Sequence, residues 1–155
     1  MKYRDSRPRI MRIHGGKTYH VMVKRYYCSK CHRLHTQLPD VLLPYKHYCA
    51  ETVQDVLDDI VNEESPEDAD GPSPMTMKEW RRWFQINVLR MEGLAKNALQ
   101  SIVGSAEEIP ESDGSLLRYY RDHSDKWLST IMRYIYNSGG FLTSLRSRNN
   151  APAFS

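Results

Sequence analysis

The chain has 155 residues, with 22 Lys and Arg against 19 Asp and Glu and 40% apolar residues. That suffices for one domain or two small units sharing a core, and no apolar run approaches the roughly 20 residues needed to span a bilayer. The amino terminus, MKYRDSRPRIMRI, lacks the apolar core of a signal peptide, which places the protein in the cytoplasm. In that reducing compartment its three cysteines point to metal or free thiols rather than disulfides. The net charge of +3 conceals a pattern: residues 1–48 hold eleven Lys and Arg against Asp5 and Asp40, residues 50–75 hold nine acids and no Lys or Arg, and residues 116–155 are basic again. A basic end on a nearly neutral whole is an electrostatic footprint of nucleic-acid binding.

Arg9 to His14 and Lys17 to Tyr27 flank Gly15-Gly16, which predicts a hairpin with a two-residue turn. In that register Ile10, Arg12 and His14 share a face with Tyr19 and Val21. The second strand continues through Arg25, Tyr26 and Tyr27, turns through Cys28-Ser29-Lys30-Cys31 and returns as His32 to Leu38. A three-stranded sheet of this size has too little core to stand alone, so metal or the following helices must support it. An apolar, proline-bracketed connection (Leu38-Pro39 to Pro44-Tyr45) then leads to Ala50, Val53, Val56, Leu57, Ile60 and Val61. Their spacing predicts a helix over 50–61 with an acidic opposite face of Glu51, Asp55, Asp58 and Asp59.

Ser65-Pro66-Glu67-Asp68 reads as a short helix that stops at Gly71. Thr76 followed by Glu79 matches a capping box and opens a long helix from Met77 to Val103. Trp80, Trp83, Phe84, Val88, Met91, Ala95, Ala98 and Ile102 form its apolar side. Gly104 to Gly114 is an acidic loop, Ser115 caps a segment with Leu116, Leu117 and Tyr120, and a final helix from Ser124 to Asn137 carries Trp127, Leu128, Ile131, Met132 and Ile135. The expected class is α+β. A ribbon-like β unit occupies 1–48, helix-turn-helix-like helices occupy 49–104, and a C-terminal helical segment, 105–155, packs on them.

Cys28 and Cys31, two residues apart at a hairpin tip, form a knuckle whose tight turn directs both sulfurs inward, as tetrahedral zinc requires. His35 is the third expected ligand. Cys49, His47, His32, His14 and His20 are further nearby donors, and a closed structural site needs four. The alternative is a knuckle without metal, in which the thiols act as small buried apolar groups. Cys28 to His32 also fits the haem-attachment pattern Cys-x-x-Cys-His, but that chemistry requires export. The order helix, short helix, turn, basic helix is that of a helix-turn-helix. Lys78, Arg81 and Arg82 are therefore candidates for groove contact, and Lys24, Arg25, Lys30, Arg33 and Lys46 for phosphate contact. Trp80, Trp83 and Phe84 continue the apolar stripe and read as core. Nothing resembles a nucleophile elbow or phosphate loop, so no catalysis is expected.

The run from Lys24-Arg25-Tyr26-Tyr27-Cys28 to Pro44-Tyr45-Lys46, the helix start Ala50-Glu51, the set Thr76, Trp80, Arg81, Trp83 and Phe84, and the later Trp127-Leu128 and Asn137 resemble a family of short uncharacterised bacterial proteins. That family, chiefly from Firmicutes, is defined as a domain of unknown function. Its middle is in turn similar to the zinc ribbon and helix-turn-helix at the start of insertion-sequence transposases. The resemblance implies binding of double-stranded DNA in an accessory or regulatory role linked to mobile elements, without a catalytic domain. A full ribbon has a second Cys-x-x-Cys upstream, and residues 1–27 contain no cysteine. The other reading is a protein–protein adaptor whose partner docks on the acidic face of residues 51–70.

Overall fold

The computed structural model describes residues 1–13, 15–44, 46–64, 71–104 and 114–145. Three strands, β1 (Lys2–Arg12), β2 (Thr18–Cys28) and β3 (Arg33–Gln37), form an antiparallel sheet in the order β1-β2-β3. Among the described residues four helices follow: α1 (Ala50–Leu57), α2 (Pro74–Val103), α3 (Leu116–His123) and α4 (Trp127–Asn137). The α+β expectation holds, while the expected short helix at 65–70 and the His14 position lie outside the described residues.

The hairpin register differs from expectation by one residue. Gly15 and Gly16 both adopt positive φ, as their lack of a Cβ permits, but the connection runs from Ile13 to Lys17 and the last ladder pair is Arg12 with Thr18. A two-residue turn would have placed Arg12 opposite Tyr19. Because side chains alternate, a one-residue slip exchanges the faces: Ile10 and Arg12 lie with His20 and Thr18, whereas Tyr19 and Val21 lie with Met11 and Arg9. The second face is the more protected, with Val23 buried. β1 starts earlier than expected, passes a bulge between Tyr3 and Asp5 and contains Pro8. Proline is tolerated there because β1 is an edge strand, whose outward N–H has no ladder partner to lose.

The core is helical. Leu43, Val53, Val56, Trp80, Met91, Trp127, Leu128, Ile131 and Ile135 are buried together. Trp80 and Trp83 are each 4% exposed, so the aromatic stripe of α2 is core, as its spacing predicts; Ile102, at the far end of that stripe, is exposed. α2 begins at Pro74, with Ser73 as its cap accepting the Thr76 N–H at 3.2 Å. Thr76 is therefore inside the first turn rather than capping it, because Pro74 at the first helical position has no N–H to satisfy and a preset φ. α1 stops at Leu57, short of Val61: Asp59 turns to φ 61° and Ile60 points into solvent. α4 likewise starts at Trp127, after Ser124 has closed α3. No described helix is long and apolar enough to cross a membrane.

Buried and half-buried polar groups lock the helices together. Gln54 donates to the Asp125 carbonyl oxygen at 2.8 Å and accepts the Leu128 N–H at 3.1 Å, so one amide of α1 satisfies the start of α4. Asp58 accepts from Trp127 Nε1 at 2.8 Å and from Arg121 at 2.6 Å. The Glu92 carboxylate of α2 accepts the Leu116 and Leu117 N–H groups and satisfies the start of α3. Those amide interactions, together with Lys96, hold its pKa below the usual range against the opposing effect of burial, which is the largest influence on it. Replacing Gln54 with Leu keeps the volume but strands a donor and an acceptor, so urea unfolding should show a loss of about 1–3 kcal/mol. An unchanged midpoint would mean water replaces the amide at no cost.

Candidate metal knuckle and cationic surface

β2 delivers Cys28 at its last position and a tight turn carries the chain to Cys31. The return into β3 passes through His32 at φ 55°. Cys28 pairs with Arg33 and Tyr26 with His35 across the β2–β3 ladder. Alternation then puts Cys28 and His35 on one face of the sheet. The donor atoms of Cys28, Cys31 and His35 all lie within 4.8 Å of one another, and Cys31 Sγ is 3.1 Å from His35 Nε2. Backbone N–H groups of Cys31 and Lys30 point at the Cys28 sulfur and lower its pKa, favouring the thiolate that ligates metal. The three expected ligands are thus brought within reach of one metal ion.

The other donors are elsewhere. His32 turns its Nδ1 to the Tyr27 hydroxyl at 3.0 Å. Cys49 is buried at the start of α1 with its sulfur 3.1 Å from Thr52 Oγ1. His47 and His20 lie outside the cluster, and among the described residues no fourth Cys, His, Asp or Glu joins it.

The eight cations expected at a nucleic-acid surface divide into two groups. Lys24, Lys30, Arg33, Lys78 and Arg82 are exposed. Arg25, by contrast, forms a two-pronged pair with Asp5 across β1 and β2, at 2.7 and 2.5 Å. That pairing chiefly sets the low pKa of Asp5. Arg81 reaches Glu63 at 2.7 Å and Asp59 at 3.3 Å, tying the exit of α1 to α2. Lys46 is half-buried, its ammonium 4.5 Å from the centre of the Trp83 ring. Burial pushes its pKa down to about 8, against a smaller opposing influence from Glu79. Beside Lys46 stand Arg9 and Arg12 of β1, which sequence reasoning passed over because nothing in the linear pattern links them to residue 46.

The unfolded chain holds the Lys46 proton more tightly than the folded one, so folding loses stability below pH 8 and recovers it as pH rises toward 10.5. Lys46→Met should therefore stabilise the fold at pH 7 by about 1–2 kcal/mol. The gap between variant and parent should close as pH approaches the free-lysine value. A gap that stays constant with pH in urea titrations would show that Lys46 is not strained by its surroundings.

No curated protein and no solved structure matches the chain. Residues 1–83, which include the sheet, the knuckle, α1 and the opening of α2, match the family model described as a domain of unknown function (DUF6431). The chain belongs to that family.

Proposed function

We propose that the protein binds double-stranded DNA through its amino-terminal ribbon, with Zn²⁺ held by Cys28, Cys31 and His35 to fix the knuckle, as an accessory or regulatory protein related to mobile elements. The observation that carries this reading is the outer face of the sheet. Lys24 and Arg33 lie on the same face as Cys28 and His35, with Lys30 in the intervening turn, and all three cations are exposed. The nearest strand carboxylate, Asp5, is already matched by Arg25. β1 and β2 run about 35 Å, with β3 beside their knuckle end, and β-sheets are an established way to present side chains to a DNA groove. Zinc suits a donor set of two thiolates and an imidazole, and water or a further group would complete its tetrahedron.

The sheet takes precedence over the start of α2 in this reading. Arg81 is engaged with acids of its own chain, and Met77, Trp80 and Trp83 are core. That leaves Lys78 and Arg82 as flanking phosphate contacts. The adaptor reading weakens for a similar reason. Asp58 and Glu63 of the acidic segment are engaged within the chain, by Arg121 and Trp127 and by Arg81 respectively.

Protein purified without chelator should contain near-stoichiometric zinc, and Cys31→Ser should lose it; metal-free parent protein sinks the cofactor assignment. In mobility-shift assays, binding to random duplex should weaken as salt rises, with a slope of about 0.9 per neutralised phosphate. Lys24→Glu with Arg33→Glu should cut affinity by roughly tenfold or more at low salt while leaving the thermal melt unchanged. Equal affinity of parent and double variant removes the ribbon as the contact surface.

A further inference from the structure

A cleft of about 650 Å³ lies where β1 ends, the connection after β3 passes and α2 begins. That volume falls within the roughly 300–1,000 Å³ of small-molecule sites. Arg9 and Arg12 contribute from β1, Lys46 and His47 from the connection, and Glu79 and Trp83 from α2. Among the described residues, three cations, a histidine and one carboxylate therefore line the cleft. Arg9 donates to the Leu43 carbonyl oxygen at 2.9 Å and to that of Lys46 at 3.2 Å, so it shapes the cleft wall. Arg12, exposed, has its guanidinium carbon 5.8 Å from the centre of the Tyr48 ring. Lys46 places its ammonium against the Trp83 ring.

We propose that this cleft is a binding site for a phosphate-bearing anion, gripped by the Arg12 guanidinium and the Lys46 ammonium with His47 at its edge. A planar guanidinium fork and a compact ammonium on one concave surface match the several acceptor oxygens of a phosphate group. A lysine retained where burial penalises its charge is characteristic of functional sites, and a bound dianion supplies the counter-charge that Glu79 only partly provides. The phosphate has two possible sources, a free phosphorylated small molecule or the backbone of a bound duplex. The proposal does not rest on the ribbon reading, because none of Lys24, Lys30 or Arg33 lines the cleft.

Calorimetric titration of the full chain with inorganic pyrophosphate at pH 7, with sulfate at matched ionic strength as the control, tests this. A single saturable site is expected. Affinity should fall about tenfold or more in Arg12→Gln and in Lys46→Gln, as loss of a charge-assisted contact implies, and rise in Glu79→Gln. Lys46→Gln removes a penalised charge and so keeps the fold intact, which thermal melting verifies. Absence of saturable binding, or binding that both cation variants retain in full, overturns the proposal. Repeating the titration with saturating duplex identifies the source: displacement assigns the site to a backbone phosphate, and retention to a free small molecule. Failure of the ribbon reading would appear separately, as unchanged duplex affinity in the Lys24→Glu, Arg33→Glu variant.

Discussion

The attachment of the sheet to the helices rests on a few backbone hydrogen bonds at one end of β1. Arg12 donates its N–H to the His47 carbonyl oxygen at 2.7 Å and accepts from the Cys49 N–H at 2.9 Å. The Arg9 side chain adds its bonds to the carbonyl oxygens of residues 43 and 46. Little apolar burial supplements them, for Val23 is the sole strand residue buried among those described. The segment they grip carries Leu42 and Leu43 into the core and leads directly into α1. Polar geometry of the main chain, more than hydrophobic area, therefore sets the direction in which the ribbon projects.

That arrangement explains why the two candidate sites differ in character. The knuckle sits at the far end of the ribbon, exposed, and is shaped locally by a four-residue turn and one cross-strand neighbour. A metal ion there would supply the stability that so small a sheet cannot draw from its own core. The cleft lies at the attached end, where β1, the connection and α2 converge, and its groups are ordered by contacts far apart in sequence. Lys46 and Arg12 line one cleft because the main-chain bond between residues 12 and 47 joins their segments.

The local features were legible in the sequence. The spacing of Cys28, Cys31 and His35 described a real juxtaposition, and the aromatic stripe of α2 from Trp80 to Met91 was correctly placed in the core. Boundaries failed where a competing side chain decided them: Ser73 outranked Thr76 as a cap because Pro74 favours the first helical position. The hairpin register failed because two adjacent glycines are compatible with more than one loop length. The candidate cationic surface was the least legible part. Arg25 looks like any surface cation until Asp5, twenty residues away, is seen to hold it, and the same is true of Arg81 with Glu63. Charge counting cannot separate such internally satisfied groups from those left facing solvent.

The double role of Gln54 has a consequence for where this protein can be cut. The family match ends at Trp83, within α2, yet Gln54 needs Asp125 and Leu128, and Asp58 needs Arg121 and Trp127. A fragment ending at the similarity boundary would keep one half of each arrangement and lose Leu128, Ile131 and Ile135, which are buried together with Val53 and Val56. The stretch that carries the family likeness and the stretch that closes the core are therefore not the same.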